Sequence, residues 1–212
     1  MLSPAYLRTV PFPQDLTNDD IFTSLVETES FFTSIRNNAG INLSEIIQAN
    51  NFSDVVSNVF TKKLGDTSIY QPYHDQRYPD LMHKAVPIGL EVKASNKPMK
   101  GGEGHNGHSG WHIVVCYHIL PIGDIEFTHV EIAELNGFGH PDSDWKYCGS
   151  KRNKNDSQRT ETYMTNSIGT AKLRDGSVYL NPEYVNITPH LRHRRKKSSD
   201  LLPIPSFSPF AG

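Results

Sequence analysis

Ile88-Gly89-Leu90-Glu91-Val92-Lys93-Ala94 alternates apolar and polar residues, and Pro79-Asp80 precedes it after a short interval. Successive side chains of a strand point to opposite faces, so Leu90 and Val92 are expected on one face and Glu91 and Lys93 on the other. An aspartate at the preceding turn then brings a second carboxylate to the same cleft. Two carboxylates and a lysine in this order can build a metal-dependent phosphodiesterase site. The same letters also fit a surface turn followed by a strand carrying a salt-bridged Glu and Lys.

The chemistry explains the residue types. When water attacks a phosphodiester, negative charge builds on the phosphoryl oxygens and on the leaving oxygen. A hard cation held by carboxylates activates the water, neutralises that charge and orients the phosphate. Mg²⁺ prefers oxygen ligands and keeps several waters, so two side chains and one carbonyl suffice to hold it. A lysine ammonium beside it acts as a compact point charge.

Pro79-Asp80 and Glu91-Val92-Lys93 resemble the motif of the PD-(D/E)XK nuclease superfamily and, within it, the small type II restriction endonucleases; the pattern covers residues 42–135. The resemblance implies an α/β fold whose mixed central β-sheet is flanked by helices, a restriction-endonuclease-like core. It implies Asp80 and Glu91 as Mg²⁺ ligands, the Val92 carbonyl as a third, and Lys93 beside the attacking water or a phosphate oxygen. Family members often supply a further acid from a preceding helix. Glu45 is the first candidate and Glu29 the second, although Asn42 followed by Glu45 also reads as a capping box. The implied partners are double-stranded DNA, a second copy of the chain in a symmetric homodimer, and a cognate DNA methyltransferase. A repair or recombination nuclease on the same core is the alternative within catalysis, and a non-catalytic nucleic-acid-binding module the alternative outside it.

Composition bounds these readings. A chain of 212 residues is long enough for one catalytic domain, and two cysteines, Cys116 and Cys148, are too few for a disulfide framework. There is no long apolar run and no basic, apolar N-terminal leader, so the expectation is a cytoplasmic protein with no membrane partner. The expected division of the single domain is helical over 17–65, catalytic over 66–135, variable and recognition-bearing over 136–190, and a basic, proline-rich tail over 191–212.

Net charge is −2, but its distribution is uneven: residues 1–60 hold seven acids against Arg8 and Arg36. Lys146, Lys151, Arg152, Lys154 and Arg159 face Asp156 alone over 146–159, and Arg192, Arg194, Arg195, Lys196 and Lys197 form a second basic run. Such clusters attract phosphate. The glycine-rich stretch 97–110 is expected to be irregular and to lie near the scissile phosphate. Candidate DNA contacts are therefore Ser95, Lys97, Lys100, His105, His108, His112, Lys151, Arg152 and Lys154. Zinc held by His105, His108, His112 and Cys116 is a weaker alternative, since that spacing matches no closed zinc motif. An HNH-type site at His105 and His108 lacks its following helix.

Thr17 with Asp20 predicts a helix start, with an apolar stripe ending before Gly40. A second helix is predicted from Asn42, interrupted near Asn50-Asn51 and stopped by Gly65. Strands are predicted at 67–70, 81–82, 88–94, 111–120 and 126–135, then at 170–173, 177–180 and 184–187 around a turn at Asp175-Gly176. The arm at 201–210 is predicted to be extended, packed on its own subunit or on a partner.

Overall fold

The computed structural model describes residues 2–73, 78–99, 103–105, 107–149, 162–196 and 202–211. After a 3-10 turn at Pro4–Tyr6 come α1 (Asn18–Ala39), α2 (Leu43–Ile46) and α3 (Ala49–Thr67). Thr17 and Asp20 close a reciprocal capping box, with the Asp20 N–H donating to Thr17 Oγ1 at 3.1 Å and the Thr17 N–H to Asp20 Oδ2 at 2.9 Å. Gly40 ends α1 in the left-handed region at φ 64°, which a side chain would disfavour. The second helix divides, as its sequence predicts, but it breaks at Ile47-Gln48 and then runs through Gly65 to Thr67. Gly65 has a packing role: a Cβ there would sit 2.6 Å from Pro72 Cδ.

The strands are β1 (Tyr70–Pro72), β2 (Leu81–His83), β3 (Gly89–Ser95), β4 (Glu103–His105), β5 (Gly110–Ile119), β6 (Ile125–Leu135), β7 (Trp145–Tyr147) and β8 (Thr162–Thr165). They are followed by α4 (Ser167–Asp175), β9 (Ser177–Leu180) and α5 (Thr188–Lys196). A six-stranded sheet runs β1-β2-β3-β5-β6-β9, with β3 and β5 parallel and every other pair antiparallel; a separate antiparallel sheet runs β4-β8-β7. The protein is therefore mixed α/β with a mixed central sheet.

Alternation along the strands sorts the two faces of the large sheet. Leu90, Val92, Ile113, Val115, Val130 and Ile132 face α1 and α3, where Phe52, Val56, Phe60 and Leu64 recur every fourth residue and are almost completely buried. Val114, Cys116, Ala133 and Leu135 face the other way, against Leu173 of α4 and against Trp145 and Tyr163 of the small sheet. Glu91 and Lys93 belong to this second face, at its β3 end.

Four predicted elements differ, the first being the strand predicted at 67–70: Thr67 ends α3 and β1 starts only at Tyr70. Residues 170–173 belong to α4, because Asn166 Oδ1 accepts the N–H groups of Ile168 and Gly169 and starts a helix that buries Ala171 and Leu173. Asp175-Gly176 consequently joins a helix to β9 rather than closing a hairpin, and no strand forms at 184–187. The glycine-rich stretch contains β4, which pairs with β8.

The basic run begins as α5, and Arg194 within it turns inward. Its guanidinium lies 3.0 Å from the Asp175 carboxylate and donates to the Leu202 carbonyl at 2.6 Å, while Ser208 Oγ donates to Asp175 at 2.8 Å. The proline-rich arm is thereby held on its own chain, with Phe210 buried against Met99 and Val185. Removing one partner of a buried pair leaves the other charge uncompensated. Asp175→Ala is expected to cost about 3–5 kcal/mol, measured by urea unfolding. A loss near zero would show that the latch adds nothing to stability.

Candidate active site

The β2–β3 ladder pairs Leu81 with Leu90 and Met82 with Gly89. Beyond it the Asp80 side chain replaces the next rung: Oδ2 accepts the Val92 N–H at 2.8 Å. Asp80 follows a cis Tyr78–Pro79 bond, and Gly89 lets Pro79 lie on the strand, since a Cβ there would come within 2.2 Å of Pro79 Cγ. The turn carboxylate is thus fixed to the strand that carries the other two polar groups.

On β3, Glu91 Oε1 receives the Lys93 ammonium at 2.5 Å, with the Glu91 side chain 12% exposed. The register that pairs Leu81 with Leu90 sets Asp80 opposite Glu91, whose charge acts on it. Burial first, and the neighbouring Glu91 charge second, push Asp80 up to about 6, against the opposing pull of the Val92 N–H and Lys93. Two crowded carboxylates with one ammonium between them form a site that a further cation would relieve.

His112 stands beside Glu91 in the parallel β3–β5 ladder. Its Nδ1 lies 2.9 Å from the Gly110 carbonyl and its ring 5.3 Å from that of Trp145. Burial, chiefly, lowers its pKa to about 4, so the imidazole is neutral near pH 7. Tyr78 stacks on His108 with ring centroids 4.0 Å apart and donates its hydroxyl hydrogen to the Ser109 carbonyl. Burial and the two carboxylates raise Tyr78 to about 12, so it stays a neutral phenol. Tyr78 is absent from the sequence-derived site; its one signal is its place before Pro79-Asp80.

The other candidates divide. Ser95 follows Lys93 on the same strand face but spends its hydroxyl on a local turn with Lys97, whose side chain is exposed. His112 is buried, so it lines the site instead of reaching a DNA groove. His105 belongs to β4, and nothing is described of its side chain; Lys100, Lys151, Arg152, Lys154 and Lys197 lie outside the described residues. Cys116 is packed in an apolar cluster, and among the described residues no group of three or more His, Cys, Asp or Glu is arranged to hold a metal ion. What the site offers a cation is two carboxylates and the β3 backbone beside them. That donor set suits Mg²⁺ with retained waters and does not suit zinc.

Neither helical acid joins this cluster. Glu45 is exposed and accepts from Asn42 Nδ2 at 3.0 Å, and Asn42 packs on Gly123 in the β5–β6 turn. At about 3.4 Å per residue, that turn is roughly 20 Å or more along β5 from His112. Glu45 therefore supports a helix start. Glu29, on the opposite face, accepts the Phe127 N–H at 2.8 Å beside the β5–β6 bulge, and burial raises it to about 7.

The chain matches no family model, no curated protein and no solved structure. Among the described residues no helix is long and apolar enough to cross a membrane.

Both raised carboxyl groups make stability depend on pH in one direction. The folded chain holds a proton on Asp80 up to about 6 and on Glu29 up to about 7, whereas their ordinary values are 3.8 and 4.5. Over those windows the folded state binds more protons than the unfolded one, so these groups make stability fall as pH rises. Asp80→Asn is expected to flatten the fall between about pH 4 and 6, and Glu29→Gln the fall up to about pH 7, in guanidinium unfolding across that range. Unchanged pH slopes in both variants would contradict these assignments.

Proposed function

We propose that the chain is a Mg²⁺-dependent type II restriction endonuclease, hydrolysing phosphodiester bonds of double-stranded DNA at a short specific sequence on a restriction-endonuclease-like core. The observation that carries the reading is the meeting of Asp80 and Glu91 at one point of the sheet with Lys93 paired to Glu91. Asp80 and Glu91, with the Val92 carbonyl, would hold the ion. When bound, Mg²⁺ supplies a more acidic water and neutralises charge on the phosphate.

The chain's own groups have separable tasks. Val92 fixes the Asp80 carboxylate through its N–H. Lys93 shares Glu91 in the resting site and carries the compact positive charge for the attacking water or a phosphate oxygen. Neutral His112 and Tyr78 form polar walls that add no competing charge near pH 7. A symmetric homodimer would provide one such site per strand, and a companion methyltransferase would protect the host sequence. A repair or recombination nuclease with the same site would cut without a fixed sequence, giving a smear in place of discrete fragments.

One observation favours a second reading, a nucleic-acid-binding module with no chemistry: Asp80 and Glu91 each already have a partner within the chain. Plasmid cleavage with Mg²⁺, and its loss in EDTA, separates the two. Asp80→Ala, Glu91→Ala and Lys93→Ala are each expected to lower the cleavage rate by about 100-fold or more while leaving the fold intact. Lys93→Arg should not restore it, because a planar guanidinium does not replace a compact ammonium. Near-normal turnover in Asp80→Ala or Glu91→Ala would reject the assignment. Sedimentation with the cleaved duplex in Ca²⁺, which blocks chemistry, should show two chains per duplex; one chain that cuts both strands in a single encounter would reject the dimer.

A further inference from the structure

Outside the acidic cluster, the small β4-β8-β7 sheet carries an aromatic group of its own. Phe138 is 51% exposed and Tyr147 is 47% exposed, and both rest on Tyr163, with ring centroids 4.7 and 5.4 Å from it. Phe138 and Tyr147 are 6.5 Å apart and inclined by 43°. Phe138 and Tyr147 form an open apolar surface over the buried Tyr163 ring.

This surface continues the floor of the candidate active site. Trp145 and Tyr147 are two apart on β7 and so share a face, and they pair with Thr165 and Tyr163. The inner end of that face is closed by Trp145 against His112, with Trp145 Nε1 donating to the His108 carbonyl at 3.1 Å. The outer end is Tyr147. On the other side, the Phe138 N–H donates to the Gly107 carbonyl at 2.7 Å, and the next residue, His108, stacks on Tyr78 before Pro79-Asp80. A Cβ on Gly107 would approach Tyr163 at 3.1 Å and Phe138 at 3.2 Å, so the glycine lets the loop lie directly against the rings.

Size and charge select the occupant. Two half-exposed rings offer roughly 200 Å², far below the roughly 800 Å² per partner of a stable protein interface. That area fits one or two nucleobases. Lys146 is exposed on the face of β7 opposite Trp145 and Tyr147, and the β7–β8 connection carries Lys151, Arg152, Lys154 and Arg159 in sequence. Aromatic rings that stack bases, joined to a basic stretch of sequence that attracts the phosphate backbone, are the combination that binds single strands.

We propose that Phe138 and Tyr147 form a stacking platform for an unpaired or extruded nucleobase of the strand whose phosphate lies at Asp80, Glu91 and Lys93. This rests on the nuclease reading of that site. The platform positions the strand and touches no reacting atom.

The test uses the full chain in EDTA, with single-stranded and duplex oligonucleotides that each carry one 2-aminopurine. Binding should quench the 2-aminopurine emission, and Phe138→Ala or Tyr147→Ala should weaken binding about tenfold and remove the quenching. Tyr147→Phe and Phe138→Tyr keep the rings and should bind like the wild type, whereas Tyr147→Leu keeps apolar area and should behave like Tyr147→Ala. Thermal melts of all five variants separate misfolding from lost stacking. Wild-type affinity and quenching in the alanine variants, no binding by the wild type, or a Tyr147→Leu variant equal to Tyr147→Phe would overturn the platform. Plasmid cleavage in Mg²⁺ separates the two ideas: absent cleavage with ring-dependent quenching retained removes the nuclease reading alone, and normal cleavage without ring dependence removes the platform alone.

Discussion

The hydrogen bond from the Val92 N–H to the Asp80 carboxylate is the constraint on which the candidate site depends. Asp80 lies on the turn that leads into β2, where the antiparallel register that pairs Leu81 with Leu90 continues to set it opposite Glu91; the hydrogen bond decides where its carboxylate is held. By taking the rung beyond Leu81–Leu90, its carboxylate is pinned to β3, whose alternation turns Glu91 and Lys93 to the same face and buries Leu90 and Val92 beneath them. Gly89 makes room for Pro79 at the start of the strand.

The consequence is electrostatic. Two carboxylates are held together in a partly dry site with one ammonium, and Asp80 responds by keeping its proton up to about 6. The surroundings do not relieve the crowding: buried His112 is neutral near pH 7 and Tyr78 is a phenol. Under the proposed function, a divalent cation would supply the positive charge that this carboxylate pair lacks. The small sheet reaches the same place from the other side, through Trp145 on His112.

Much of this was legible in the sequence. The alternation in 88–94 and the long apolar runs at 111–120 and 126–135 gave β3, β5 and β6 within a residue or so, because burial of one strand face is written in every second residue. Thr17 with Asp20, and Gly40, marked both ends of α1 for local steric and hydrogen-bonding reasons. What failed was set by tertiary contact. Thr170-Ala171-Lys172-Leu173 alternates like a strand, yet Asn166 caps a helix there and Gly169 lies so close to Asp144 that a Cβ would meet its carbonyl at 2.4 Å. Arg194 reads as one of a run of surface bases and is instead the buried partner of Asp175. Glu45 has the right residue type on a preceding helix, but that helix docks at the far end of the sheet. Tyr78 had no pattern of its own to announce it.

The central claim is that Asp80 and Glu91 together bind a divalent cation. Electron paramagnetic resonance of Mn²⁺ added to the full chain reads this without relying on turnover. Wild-type protein should take up Mn²⁺ in competition with Mg²⁺, and Asp80→Asn and Glu91→Gln should each lose that uptake while keeping the wild-type circular dichroism spectrum. Equal Mn²⁺ binding by the wild type and both variants, or none by the wild type, would contradict it.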